Sequence, residues 1–278
     1  MSEKVRIKIY DREFKHLPCY TGYNLPEYLI WDREGPDTKV TFFTENFTRE
    51  ISHSTAPVKV YWPVEPPSIH ADSYNFIQRG GWQGVQHILT FNREILEGIP
   101  NGHFWPAGGS WIWKRDWKIY PKTKNISIVA GMKNYAPGHK LRHEILAKLG
   151  NKFDLVCGQG RNWIEQKSHI FADYRFSVVV ENSKFDWYWT DKLIDAFACG
   201  TIPIFWGCPD IGKYFNLDGI YTFNTIDDLE RIMVTLADGR GEVLYNAKLS
   251  AVQDNFERAK QYEPVEDWLW HNFIKDKI

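Results

Sequence analysis

Between positions 181 and 192 the chain gathers an amide, carboxylates, a phenol and an ammonium group in the run ENSKFDWYWTDK. Phe176 to Val180 is an unbroken apolar run of the kind that forms a buried parallel strand, and it empties into the polar, aromatic loop Glu181 to Trp189. A helix then opens at Thr190 with Asp191 and Lys192, and after Gly200 a second buried strand runs from Thr201 to Trp206. This order is a βαβ unit. In open α/β sheets ligands bind at the carboxyl ends of strands, and a helix N-terminus attracts phosphate through its unpaired N–H groups. Asn182, Tyr188, Asp191 and Lys192 stand at that place, so they suit binding of a phosphate-bearing ligand. Thr190 as N-cap and Asp191 in the first turn also suit ordinary helix initiation. The conjunction of all these groups favours a site.

Other candidates carry two readings each. Arg142 stands one turn into a helix that follows Pro137-Gly138, in GHKLRHEIL. It either shares a solvated face with Lys140 and His143 or offers a planar fork of donors to a diphosphate. Gly158-Gln-Gly160-Arg-Asn162 follows a strand, but Trp163 and Ile164 take the place of a third glycine. A turn with glycines at positive φ fits it better than a dinucleotide fingerprint. His139 and His143 are four residues apart on a helix with no third metal ligand evident, so a surface pair is expected. No Asp-x-Asp pair occurs. Neither a metal nor another cofactor is expected, and Lys192, Arg142 and the helix end would neutralise a diphosphate.

The run holding Asn182, Tyr188, Asp191 and Lys192 resembles E-N-S/T-x4-Y-x-T-E-K, the donor-site signature of the glycosyltransferase family 10 fucosyltransferases, and GTIPIFWG resembles their following strand. The resemblance implies two Rossmann-like lobes facing a cleft, the GT-B arrangement. It also implies an inverting transfer of L-fucose from GDP-fucose to a glycan hydroxyl, with Lys192 on the diphosphate. Asp191 replaces the family's Glu, one methylene longer. Arg142 is similar to a phosphate-binding Arg of that family. Glu65, in VYWPVEPPSI, resembles the glutamate of W-x3-E-S-P that is placed at the acceptor hydroxyl, and Pro66-Pro67 would hold it rigidly. Glu45, in FFTENFT, is similar to the T-G-E-N of some bacterial members and is the rival for the base; Glu65 is preferred. A looser likeness to exostosin-type transferases leaves open a UDP-sugar such as UDP-xylose. From another class, a non-catalytic carbohydrate-binding protein would also use many aromatic rings.

The composition accommodates such an enzyme. The 278 residues suit two lobes, 43% are hydrophobic, and a net charge of −1 shows no bias toward nucleic acid. Thirteen Trp and fourteen Tyr are many, but a large ring more often fills a core than binds a sugar. Cys19, Cys157, Cys199 and Cys208 are widely spaced, as in a reduced protein. The opening MSEKVRIKIYDREF lacks a signal-peptide core, and nowhere do eighteen apolar residues run together. A cytoplasmic enzyme without an integral membrane segment is the expectation.

Short strands are expected at Val5–Tyr10, Val40–Thr44, Val58–Pro63 and His87–Phe91, with part of a helix at Asn75–Gln78. Pro106 to Lys124 is the expected crossover, giving an acceptor-side lobe 1–122 and a nucleotide-sugar lobe 123–278 whose last helix could return to the first lobe. In the second lobe the pattern predicts strands at Ile126–Ala130, Phe153–Cys157 and Gly219–Phe223. It places helices at His139–Leu149, 226–236 behind Thr225, 242–262 and 265–276.

Overall fold

The computed structural model describes residues 3–12, 14, 17–158 and 166–278. Contacts divide the chain into a first unit, Met1–Gly109 with Tyr262–Ile278, and a second unit, Ser110–Gln261.

The first unit carries six parallel strands: β1 (Val5–Tyr10), β2 (Leu29–Asp32), β3 (Val40–Thr44), β4 (Val58–Trp62), β5 (His87–Thr90) and β6 (Gly102–Phe104). Their order is β2-β1-β3-β4-β5-β6. The short strands β2 and β6 are the sheet's edges and give little apolar periodicity, so the sequence pattern does not reveal them. β3 is buried at every position, as a strand covered on both faces must be. One core cluster holds Phe43, Tyr61, Ile77 and Ile88. Another is aromatic: Trp62 meets Trp105 edge-on at 4.8 Å, and Phe14, Trp31 and Phe42 pack around Trp62. These tryptophans are core residues. The C-terminal segment joins this unit through Glu266, whose Oε1 accepts from Tyr20 N at 2.5 Å and Trp31 Nε1 at 3.1 Å.

The second unit is a five-stranded parallel sheet: β7 (Lys124–Val129), β8 (Leu155–Cys157), β9 (Tyr174–Val180), β10 (Ile202–Trp206) and β11 (Tyr221–Thr222), in the order β11-β10-β9-β7-β8. Ile126, Ile128, Phe176, Val178, Ile202 and Ile204 form its core with helical residues such as Ile145 and Leu149. The unit begins at Ser110, ahead of the boundary expected at 122. The reason is that residues 110–122 pack on it. Ser110 Oγ and Trp111 N donate to Asp195 Oδ1 at 2.6 and 3.0 Å, and Lys118 N donates to Ala198 O at 3.1 Å. The expected 242–262 helix is broken at Lys248 into Arg240–Ala247 and Leu249–Ala259. The last helix runs Val265–Leu269 before a π-helical turn. No helix among the described residues is long and apolar enough to cross a membrane. All four cysteines are buried, and no disulfide joins any of them among the described residues.

Candidate functional site

β9 lies in the middle of its sheet, and its carboxyl end is where the sequence signature begins. Glu181 follows it, fully buried. Its Oε1 accepts from Thr190 N and its Oε2 from Thr190 Oγ1, both at 2.8 Å, so the loop Asn182–Trp189 is closed at its base by one carboxylate. Thr190 also caps the helix Asp191–Ala198 by accepting from Lys192 N. The Lys192 ammonium lies 3.1 Å from Thr190 Oγ1 and 3.4 Å from Glu181 Oε2, with 29% of its side chain exposed. It is fixed by a buried acid and still reaches solvent.

The helix Pro137–Leu149 is set against the same strand end. Gly138 N donates to Asn182 O at 3.0 Å, and a Cβ at position 138 would lie 1.7 Å from Glu181 O. Only glycine permits that approach. One turn on, Arg142 is 8% exposed, so it is not part of a solvated face. Its Nη2 donates to Val180 O, and to Asn182 Oδ1 at 3.3 Å. Nε and Nη1 have no protein acceptor among the described residues, nor does Asn182 Nδ2 donate to one. Burial lowers the Arg142 pKa, and Glu181 and Tyr188 act against that. Arg142, Lys192, Asp191 and Lys167 line one cavity of about 140 Å³. A buried guanidinium that lines a cavity and keeps donors unused by the described residues suits an anion.

His139 is also buried rather than half of a surface pair with His143. Burial, then Arg142, Lys133 and Lys192, lowers its pKa to about 4, so at neutral pH the ring adds no charge.

Asp191 and Lys167 make a second layer. Lys167 Nζ lies 2.8 Å from Asp191 Oδ2 and also bridges to Asp195, whose carboxylate is wholly buried. Burial alone would raise the Asp191 pKa, but Lys167 and then Lys192 outweigh it and hold it at about 2. Burial dominates at Asp195 and raises its pKa. Three carboxylates (Glu181, Asp191, Asp195) thus alternate with Lys192, Lys167 and Arg142, and the cluster is formally neutral until a ligand enters. Tyr188 is 1% exposed and stacked on Phe185 at 4.7 Å, so its ring forms part of the loop's packing. Gly158 adopts φ +105° with Ala130 O 2.2 Å from where its Cβ would be, as a glycine turn requires. Gly160, Arg161 and Asn162 lie outside the described residues.

Both candidate bases belong to the first unit. Glu45, just past β3, is 1% exposed and holds φ +34°, a left-handed conformation costly for a side chain with a Cβ. Its Oε1 accepts from Val64 N at 2.6 Å and Glu65 N at 2.7 Å; its Oε2 accepts from Ser73 Oγ and lies 3.3 Å from His70 Nδ1. The Glu45 carboxylate therefore anchors the backbone that carries Glu65. Glu65 itself is half-buried past the end of β4, with its carbonyl accepting from Tyr74 Oη at 3.0 Å.

Sequence reading passed over Glu181, Lys167 and Asp195 as working parts of the site. Asp195 had a signal, an acid four residues after Asp191 on an otherwise apolar helix face. Among the described residues no group of three or more His, Cys, Asp or Glu could hold a metal ion.

No protein-family model matches the chain. It is 34% identical over 87 residues to an α-(1,3)-fucosyltransferase of Helicobacter pylori, a match covering 28% of this chain and 18% of that protein. It is 27% identical over 119 residues to a putative fucosyltransferase-like protein of Arabidopsis thaliana, covering 41% of this chain and 23% of that one. The chain thus spans less than a quarter of these curated relatives. An α1,3-fucosyltransferase solved with GDP superimposes with a TM-score of 0.58 at 15% identity, over 98% of this chain and 92% of that one. The same name solved with GDP-fucose gives 0.57 at 18% identity, over 90% and 83%. A T4 phage BGT mutant in complex with UDP-glucose gives 0.55 at 10% identity, over 96% and 99%. Over the matched 87 residues the chain is similar in sequence to an α-(1,3)-fucosyltransferase, and the structural likeness gives it a GT-B-type α/β fold with two parallel sheets.

Proposed function

We propose that the chain is an inverting glycosyltransferase that moves L-fucose from GDP-fucose to a hydroxyl of a glycan. The observation that carries this reading is the buried Arg142, which lines the cavity shared with Lys192 at the end of β9 and has Nε and Nη1 without an acceptor among the described residues. A diphosphate there would take N–H groups from Arg142 Nε and Nη1, from Asn182 Nδ2 and from the Lys192 ammonium. Glu181 and Thr190 already hold that ammonium, so little is reorganised when charge builds on the departing diphosphate. Neutralisation of that charge needs no ion in this reading. Asp191 is locked to Lys167 and serves the sugar side of the donor through the oxygen that faces Lys192.

In the displacement, the acceptor oxygen bonds to the anomeric carbon as the bond to the diphosphate oxygen breaks, and GDP leaves with the electron pair. Glu65 takes the hydroxyl proton, and Glu45 holds Glu65 in place through its backbone N–H. General-base assistance of this kind contributes roughly 10²–10⁴-fold.

A UDP-sugar is the second reading, because the T4 phage BGT mutant with the same fold is described with UDP-glucose. A thermal-shift screen of GDP, UDP and their sugars separates the readings, since a ligand that binds only the native state raises its apparent stability. Stabilisation by GDP and GDP-fucose supports the first; stabilisation by UDP alone supports the second. If no nucleotide stabilises the chain, a carbohydrate-binding role replaces both.

A further inference from the structure

Glu45 follows β3 and His70 follows β4, so both stand at the carboxyl end of the first unit's sheet, where α/β folds bind ligands. Pro66 O accepts from Ile69 N at 2.9 Å and His70 N at 3.0 Å, and this turn delivers the imidazole to Glu45. The hydrogen bonds then fix its tautomer. Ser73 Oγ donates its single proton to Glu45 Oε2, so it can only accept from His70 Nδ1, 3.0 Å away. Glu45 Oε2, 3.3 Å from Nδ1, also accepts. Both neighbours require the proton on Nδ1, which leaves Nε2 of the neutral ring as a bare lone pair. The side chain is 20% exposed, and Nε2 has no hydrogen-bond partner among the described residues. A buried carboxylate that orients one ring nitrogen while the other accepts from a hydroxyl is the division of labour in a Ser-His-Asp triad.

We propose that His70 Nε2 accepts a hydrogen bond from a hydroxyl of the acceptor glycan and so helps to select which sugar is modified. This rests on the transferase reading above. It also gives the Glu45 carboxylate a role as a positioning group, acting through His70 and through the Glu65 backbone.

His70→Phe keeps a ring and removes the lone pair; His70→Gln returns an amide oxygen near the position of Nε2. Binding to an oligosaccharide array in the presence of GDP needs no turnover. The expected result is weaker glycan binding and an acceptor KM raised about tenfold or more in His70→Phe, partly recovered in His70→Gln. GDP affinity should be unchanged in both. The ring ¹⁵N spectrum of the wild-type chain should show the proton on Nδ1. An unmoved acceptor KM and array signal in His70→Phe, or a proton found on Nε2, overturns the proposal. Failure of the wild-type chain to bind any nucleotide, with the Nδ1 tautomer intact, counts instead against the transferase reading.

Discussion

Replacing Lys192 by Met removes an ammonium that serves two partners. One is the Glu181 carboxylate, fully buried and 3.4 Å away. At that distance the attraction is about 1.2 kcal/mol in a water-like dielectric and about 5 kcal/mol at an effective dielectric of 20. With 29% of the lysine side chain exposed, solvent screens much of it. Thr190 still donates twice to Glu181 after the change. A net loss of about 1 kcal/mol of folding stability is expected. From the sequence alone, a lysine that opposes the helix dipole would be judged dispensable to the fold; the buried acid beneath it reverses that expectation. The other partner, on the proposed function, is the donor diphosphate, whose charge-assisted hydrogen bond is worth about 1.5–3 kcal/mol, or roughly a 10- to 150-fold loss of GDP affinity. Adding Glu181→Gln separates the two effects. The double variant should recover part of the stability, because Glu181 no longer stays buried as a charge without Lys192 while Arg142 loses one counter-charge, yet it should not recover GDP affinity. Calorimetric titration with GDP and thermal unfolding read the two quantities. If folded Lys192→Met binds GDP within about twofold of the wild type, Lys192 does not face the diphosphate and the reasoning fails.

Glu65→Gln should lower kcat roughly 10²-fold or more while leaving donor affinity intact, and near-wild-type turnover would dismiss Glu65 as the base. Gly138→Ala should cost about 3 kcal/mol or more by thermal unfolding, because a Cβ 1.7 Å from Glu181 O forces the helix off the strand end; a variant as stable as wild type would contradict that packing. His139, lowered from 6.5 to about 4 by burial and then by Arg142, Lys133 and Lys192, gives a pH signature. Its unfolded form takes up a proton first on acidification, so its contribution is fully present above pH 6.5 and is lost as pH falls toward 4. The melting temperature of the wild type should therefore fall more steeply across that window than that of His139→Gln, and parallel curves would remove His139 from the buried site.

The strand-helix-strand at 174–206 was legible because three local signals agree: an unbroken apolar run, a Thr-Asp helix start and a glycine before the next strand. Its chemistry was legible only in part. Spacing reveals Asn182 and Lys192, whereas Lys167 and Asp191 meet from positions 24 apart in the chain and His70 meets Glu45 from 25 apart. Such pairings come from tertiary packing and leave no periodic trace. Arg142 is instructive in the other direction. It is spaced three and seven residues before Ile145 and Leu149, and all three are buried, so the helical period placed it on the core face. Its charge made a solvated reading attractive, but a charged residue in register with core positions is a signal for a buried function. The unit boundary was missed because the aromatic, charged run after Gly109 resembles a linker in composition, while Ser110 and Trp111 are tied to Asp195 by hydrogen bonds no pattern displays.

The central claim is transfer of fucose from GDP-fucose. The measurement that meets it most directly is incubation of the chain with GDP-fucose, a panel of oligosaccharides and excess EDTA, followed by mass spectrometry and determination of the product's anomeric configuration. The account predicts a fucosylated glycan of inverted configuration with release of GDP, abolished in the Arg142→Met variant. Product formed only from a UDP-sugar, or turnover that vanishes in EDTA and returns with Mn²⁺, would contradict it.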